Sequence, residues 1–270
     1  MSARLDVALV ERGLARSRTQ AAAAIAAGRV RVGDRVEERA SRRVEDDDDL
    51  RVEPDAGWVG RAAAKLDAAL DAFRLDVAGR EALDLGASTG GFTQVLLARG
   101  AARVVALDVG HDQLVPELRA DRRVVVVEGE NARDLTAGRL ADLRGDGRRP
   151  GIVVADLSFI SLRLVLPAVA DVAAPDADVV LLVKPQFEVG RERVHGGVVS
   201  DAGDREEAVR GVLAAAAAVG LGVAGIEPSA LPGQEGNREV LVHLHATRGS
   251  DPAEWEPILR RVVRGPREAG

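Results

Sequence analysis

Only two of the 37 basic side chains are lysine, Lys65 and Lys184; the rest are arginine. A coding bias towards arginine and alanine accounts for the scarcity. Under such a bias, a retained lysine is either a chance survival or the mark of a position that arginine cannot fill. Arginine stays protonated, whereas lysine can release a proton when its surroundings depress its pKa. Each lysine has chemistry-bearing neighbours in the sequence pattern. Lys184 ends the apolar run LLV, and Asp156 ends the apolar run VVA. Glu239, in Gly236-Asn237-Arg238-Glu239, opens another apolar run. Lys65, Asp156, Lys184 and Glu239 can therefore converge from one helix and three strand ends, where a lysine among carboxylates suits proton transfer. The alternative is structural salt bridging at a sheet rim, which either pair alone would favour. The presence of both lysines in the set counts against it.

A second stretch, LDLGASTGGFT from Leu83 to Thr93, reads as a buried strand, a glycine turn and the start of a helix. Glycine there permits positive φ and close approach of a ligand to the backbone. The helix start offers unpaired N–H groups to an anionic group. A dinucleotide fingerprint needs a glycine where this chain has Ser88, which argues against a pyrophosphate. A strand ending in D-x-G followed by Gly-Gly suits S-adenosylmethionine, with Asp84 for its ammonium and the turn's N–H groups for its carboxylate. The candidate cofactor contacts are Asp84, Gly86, Ala87, Ser88, Thr89, Gly90, Gly91 and Phe92. Asp108, at the end of the next strand, is placed to hold ribose hydroxyls. Asn131 follows the third strand and can reach the adenine, and Asp156 faces the same rim.

These residues need a scaffold that brings strand ends together. Apolar runs read as strands at Ala82 to Leu85, Val104 to Asp108, Val124 to Val127, Ile152 to Asp156, Val179 to Lys184, Val223 to Glu227 and Glu239 to His245. Helices read between most of them, notably Phe92 to Arg99, Leu162 to Val172 and Arg205 to Val219; Arg61 to Phe73 forms another before the first strand. This alternation predicts an α/β, doubly wound, mainly parallel sheet, with ligands at the carboxyl ends of its strands. His243 and His245 share a strand face, but with no cysteine in the chain and no third histidine beside them they suggest no metal site.

Residues 1–54 read as a small α+β unit, 55–60 as a linker carrying Gly57 and Trp58, and 61–270 as the α/β domain. Residues 1–44 hold ten arginines against five acids, or +5, in a chain whose total is −6. That asymmetry points to a basic module for nucleic acid on an acidic body; a solvated arginine-rich surface is the bland alternative. The acidic run Glu45 to Asp49 reads as a solvated turn facing away from such a partner. Zero cysteines exclude disulfides, thiolate metal sites and cysteine nucleophiles. No apolar leader and no membrane-length apolar run is visible, so a cytoplasmic location is expected.

The stretch RLDVALVERGLARSRTQAAAAIAAGRVRVGD closely resembles the S4 RNA-binding domain, which implies a structured RNA partner. Arg4, Arg16, Arg18 and Arg29 are the candidate contacts. GASTGGFT, DVG, ADLSFISL, VKPQFEVG and GNREV, following that module, resemble the TlyA family over nearly the whole chain. This family comprises S4-containing ribosomal RNA 2′-O-methyltransferases with an FtsJ-like domain, often called haemolysins. The resemblance implies a Rossmann-like fold, S-adenosylmethionine as cofactor, no metal, and a Lys-Asp-Lys-Glu tetrad at Lys65, Asp156, Lys184 and Glu239. It implies 2′-O-methylation of ribose, expected at cytidine in 16S or 23S rRNA within ribosomal subunits. Where the family usually reads S-R-G-x-x-K-L, this chain has Gly60-Arg61-Ala62-Ala63-Ala64-Lys65-Leu66. A ribose hydroxyl must lose its proton as it attacks, which makes Lys184 the candidate base or alkoxide stabiliser.

Three other readings are weighed against this one. Ser88 and the paired lysines count against a dinucleotide-dependent oxidoreductase. The lack of a membrane-length span or strongly cationic amphipathic helix counts against a membrane-active haemolysin, and no stable membrane insertion is expected. An intact tetrad counts against an RNA-binding protein with a degenerate enzyme domain. Removal of residues 1–57 should leave a folded domain that binds cofactor but methylates ribosomal RNA poorly. RNA affinity of the full chain should fall as salt rises. Truncated protein working at the full-length rate would show that the basic module does not read the substrate.

Overall fold

A run such as Val179–Val183 can satisfy its backbone and its side chains together only inside a sheet covered on both faces. Seven such strands form one sheet in the computed structural model, which describes residues 2–15, 17–26, 28–52 and 57–264. They are β1 (Glu81–Leu85), β2 (Arg103–Asp108), β3 (Val124–Glu128), β4 (Ile152–Ala155), β5 (Asp178–Val183), β6 (Gly222–Pro228) and β7 (Val240–His245). Their spatial order is β6-β7-β5-β4-β1-β2-β3. The sheet is parallel from β5 to β3, and β7 runs antiparallel to both β5 and β6. The expected doubly wound, mainly parallel sheet is therefore present.

Helices cover both faces. On one side lie α1 (Arg61–Ala72), α2 (Gly91–Ala98) and the short α3 (Pro116–Arg119). On the other lie α4 (Ala137–Arg144), α5 (Leu162–Val172), α6 (Ala202–Ala218) and α7 (Glu256–Arg264). Alternation along β1 shows the division: Ala82 joins the α1–α2 core, while Leu83 and Leu85 join the opposite one. In α5, buried Leu162, Val165, Leu166, Val169 and Val172 recur at helical spacing and form its core stripe. Helices α3, α4 and α7 are short or strongly charged, and the sequence pattern did not reveal them.

The N-terminal unit packs helices Leu5–Glu11 and Arg18–Ala26 on a three-stranded antiparallel sheet. Its strands are Val30–Val32, Arg35–Val36 and Leu50–Val52, and Leu5, Leu9, Ile25 and Val30 sit in its core. A further pair, Ala3–Arg4 with Arg43–Val44, closes the unit. The acidic run forms a turn whose carbonyls at Glu45 and Asp48 accept hydrogen bonds from Arg12 at 2.6 Å each. Trp58 covers the α1–α2 core of the larger domain. Gln94 fastens the adjoining chain, accepting from the Val59 amide at 2.7 Å and donating to the Gly57 carbonyl at 2.8 Å.

The rim remote from the glycine turn is held by charge. Asp178, buried at the start of β5, accepts from Arg80, Arg248 and His243, each at 2.7 Å. His245 accepts from Arg248 at 2.9 Å. Both histidines are thus engaged in a structural network, and His245 is pushed down by burial and by Arg248. Burial pushes the Asp178 carboxyl up, but the bonds from His243 and Arg80 outweigh it and hold it at about 2. Its pKa is depressed in the folded state, so its stabilisation is complete above about 4 and lost as pH falls through about 2. Asp178→Asn should reduce unfolding free energy by about 2–4 kcal/mol at neutral pH, discounted for the solvent reach of both arginines. Denaturant titration should show that gap narrowing in acid, while cofactor affinity at the far rim stays unchanged.

Candidate active site

Topology brings the tetrad together. Asp156 directly follows β4 and Lys184 directly follows β5. Because β7 is antiparallel, its beginning lies at the same rim, where Val240 pairs with Val183. Glu239, one residue earlier, therefore stands beside Lys184's exit. Helix α1 supplies Lys65 from below the rim, buried at the edge of the helix's apolar stripe. All four side chains line one cavity of about 580 Å³.

Two pairs make up the tetrad. Lys65 Nζ donates to Glu239 Oε2 at 2.5 Å, with both side chains almost wholly buried. Lys184 Nζ lies 2.7 Å from Asp156 Oδ1 and donates to Ser158 Oγ at 2.9 Å. Each ammonium thus has a carboxylate partner, and the Lys184 pair is the more open of the two. Burial makes such pairs sensitive to loss of either member, since the survivor would be left charged and unmatched. The pair containing Lys184 presents an ammonium and a carboxylate side by side at the cavity, next to the Ser158 hydroxyl.

Beside this cavity lies a second one of about 780 Å³. Gly86, Ser88, Asp156, Ser158 and Phe159 line both, so the two spaces meet at the turn after β1 and the loop after β4. Gly86 has φ +84°, and a Cβ there would stand 2.7 Å from the Asp156 carbonyl oxygen. Only glycine allows the two loops to approach so closely. Ser88 also adopts a positive φ, 46°. Its amide donates to Asp108 Oδ2 at 2.8 Å, and the Gly110 amide donates to Asp108 Oδ1 at 2.7 Å. Asp108 and Asn131 both line the second cavity, and Ala87, Thr89, Gly91 and Phe92 line the first. The Asn131 side chain also caps the turn after β3, accepting from the Arg133 amide at 3.0 Å.

Two expected cofactor residues stand elsewhere. Asp84 has 0% exposure and lines neither cavity. It projects from the α1–α2 face of β1 and accepts from Thr93 Oγ1 at 2.6 Å, so it ties the strand end to the first turn of α2. Burial, opposed by the Thr93 bond, pushes its carboxyl up to about 7, and its Oδ1 finds no hydrogen-bond partner among the described residues. Direct contact with an ammonium in the cavity is replaced by support from beneath. Gly90, with φ +102°, faces Leu114 and Leu118 rather than either cavity; a Cβ would meet their methyls at 2.8 and 2.3 Å. Its absent side chain makes room for α3 and its approach, not for a ligand.

The structure adds residues that the sequence reading missed. Ser158 holds Lys184, and Gln186 lines the tetrad cavity. Phe159 is 92% exposed, has φ 64°, and packs its ring on Phe187 at 5.2 Å. An exposed phenylalanine with strained backbone is costly without a use. In a chain with 2% aromatic residues, its place in ADLSFIS was the available signal.

In the basic module, Arg4 and Arg18 both engage buried Asp6, at 3.0 and 2.8 Å. These bonds hold the Asp6 carboxyl down at about 2. Part of their charge is therefore spent inside the module, although both guanidinium groups stay substantially exposed. Arg29 is half-buried, and Arg16 lies outside the described residues.

Comparison with known proteins adds family relationships to this geometry. Residues 58–246 match the FtsJ-like methyltransferase family, and residues 3–50 match the S4 domain. The chain is 52% identical to the 16S/23S rRNA (cytidine-2′-O)-methyltransferase TlyA of Mycobacterium tuberculosis, covering 98% of each chain. It is 38% identical to Hemolysin A of Brachyspira hyodysenteriae, covering 89% of this chain and 99% of that one. A solved structure of a hemolysin-named protein from Streptococcus thermophilus superposes with a TM-score of 0.75 at 36% identity, covering 97% and 94% of the two chains.

Gly86→Ala should separate the two loops, because its Cβ must displace the Asp156 carbonyl and adopt a left-handed backbone. We expect a stability loss of about 1–3 kcal/mol and a weakening of S-adenosylmethionine binding by at least about tenfold, roughly 1.4 kcal/mol. Calorimetric titration at a temperature where the variant remains folded is the check; wild-type affinity would remove Gly86 from the cofactor site.

Proposed function

The chain belongs to the TlyA family of FtsJ-like methyltransferases, and we propose that it methylates a ribose 2′-hydroxyl in ribosomal RNA with S-adenosylmethionine. The observation that carries this reading is the meeting of the two cavities at Gly86 and Asp156, with Lys184 paired to Asp156 from the tetrad side of that edge. The larger cavity suits the cofactor: Gly86, Ser88, the Asp108 carboxylate and Asn131 line it. S-adenosylmethionine supplies an electrophilic methyl group on a sulfonium. The tetrad cavity receives the ribose.

Lys184 meets the hydroxyl there, taking its proton or stabilising the developing oxyanion. Asp156 and Ser158 fix the lysine's position from two directions. The Lys65–Glu239 pair lines the same cavity and orients the incoming ribose. Holding nucleophile and methyl donor on either side of one loop junction converts an encounter into an oriented reaction. Phe159 offers its exposed face to a splayed base, a contact worth about 1–3 kcal/mol in single-stranded RNA recognition. The basic S4 module supplies affinity for structured RNA. Cytidine as target, in 16S or 23S rRNA, follows the name of the Mycobacterium tuberculosis relative.

The name Hemolysin A belongs to the Brachyspira hyodysenteriae relative. No helix among the described residues is long and apolar enough to cross a membrane. The assembled tetrad counts against a degenerate catalytic domain.

Purified protein incubated with ribosomal subunits and labelled methyl donor should place its label on ribose 2′-oxygens; label confined to bases would overturn the reading. In single turnover with saturating enzyme and cofactor, Lys184→Arg should lose about 10²-fold or more in rate. Its cofactor affinity should stay near wild type. Lys65→Arg should lose less rate but some stability, about 1–3 kcal/mol, because the larger head must enter a packed slot. A Lys184→Arg enzyme within a few-fold of wild type would reduce Lys184 to an electrostatic contact.

A further inference from the structure

We infer that Glu188, which lines neither cavity, is a positioning residue that locks the Lys184 turn to the Ser158–Phe159 loop and so fixes the direction of the Lys184 side chain. The inference rests on the reading of Lys184 as the group that meets the substrate hydroxyl.

Glu188 stands four positions after Lys184, at the end of a tight turn spanning Pro185–Phe187. The Phe187 amide donates to the Lys184 carbonyl and the Glu188 amide to the Pro185 carbonyl, each at 3.0 Å. The turn therefore transmits any displacement of Glu188 to Lys184. The Glu188 side chain is 2% exposed, and both its oxygens are used. Oε2 accepts from Ser161 Oγ at 2.5 Å, and Oε1 accepts from the Leu162 amide at 2.7 Å. These are the cap and first residue of α5. A carboxylate at that end satisfies an otherwise orphaned N–H and meets the positive end of the helix. Arg163 adds a bond back to the Glu188 carbonyl at 2.9 Å. Burial pushes the Glu188 carboxyl up, while Ser161 and Leu162 oppose it.

The two loops are thus joined at three levels. Glu188 binds Ser161 and Leu162 at the base, Phe187 packs on Phe159 in the middle, and Lys184 binds Ser158 and Asp156 at the top. Only the uppermost level touches the reaction. The base is a strong link, because a buried carboxylate receives both a hydroxyl and a helix-end amide. Truncating Glu188 leaves the Ser161 hydroxyl and the Leu162 amide without their acceptor. The loops can then shift against each other, and a displacement near 1 Å at a reacting group costs on the order of 10²-fold in rate.

The chain's two lysines make the test direct, since lysine labelled with carbon-13 at Cε gives just two signals. Comparison with Lys65→Arg and Lys184→Arg assigns them. In Glu188→Ala the Lys184 signal should shift or broaden while the Lys65 signal stays in place. The single-turnover methylation rate should fall by about 10²-fold at saturating RNA and cofactor, and cofactor affinity should change by no more than about threefold. Glu188→Gln keeps an acceptor for the Leu162 amide and loses the one for the Ser161 hydroxyl, so it should lie between wild type and Glu188→Ala. It also serves if the alanine variant does not fold. An unmoved Lys184 signal, equal movement of both lysines, or a rate restored by more cofactor would each overturn the inference. Failure of the wild-type enzyme to methylate RNA would instead refute the functional reading, and the lysine signals would still decide the role of Glu188.

Discussion

The carbonyl oxygen of Asp156 occupies the space that a side chain on Gly86 would need. That contact sets how closely the turn after β1 and the loop after β4 approach, and the rest of the site follows from it. With the loops in contact, the two cavities share an edge instead of being divided by a wall. Asp156 then serves both: its carboxylate holds Lys184 while its backbone closes on the glycine turn. Neighbouring parallel strands β1 and β4 make the contact possible, because their carboxyl ends rise at one rim. The adjacent elements then add one group each, Lys184 from β5 and Glu239 from the start of the reversed strand β7.

Partition of the tetrad into two pairs has an energetic basis. Two ammonium groups crowded together out of water would each need compensation, and a single carboxylate could not supply it. Giving Lys65 a buried acid of its own, Glu239, leaves Lys184 to the more open pair with Asp156. The deeper pair stays structural in character while lining the cavity. The outer pair leaves its lysine the more exposed of the two, supported by Ser158 rather than by a second acid.

Much of this arrangement was legible because apolar runs and their chargeable ends are local features. Strand ends at Asp156 and Lys184, the helix carrying Lys65 and the turn at Gly86 each declare themselves within about ten residues of sequence, the scale of a single element. Face and partner are not local. Asp84 lies in the same stretch as Gly86, but strand alternation turns it into the α1–α2 interface, where Thr93 receives it. Gly90 reads as a ligand-facing glycine until α3 is placed against it. Arg4 and Arg18 read as free cations until Asp6 is brought between them. Glu188 gave no sign, because its partners Ser161 and Leu162 lie some 26 residues earlier, across a strand and a helix.

Arginine and lysine divide their work in this protein for a physical reason. Arginine's planar fork binds carboxylates in fixed geometry and keeps its charge. The structural pairs use it throughout: Arg80 and Arg248 on Asp178, Arg99 on Asp67 and Asp71, Arg144 on Glu81. Those sites reward permanence. Position 184 holds a compact donor that fits between Asp156 and Ser158. On the proposed reading, a guanidinium at that point would crowd the ribose and hold its protons too firmly to help the attack. An arginine-rich chain that keeps lysine only at positions 65 and 184 therefore places both at one cavity, Lys65 as a buried charge paired with Glu239 and Lys184 in the more open pair that the proposed reaction uses.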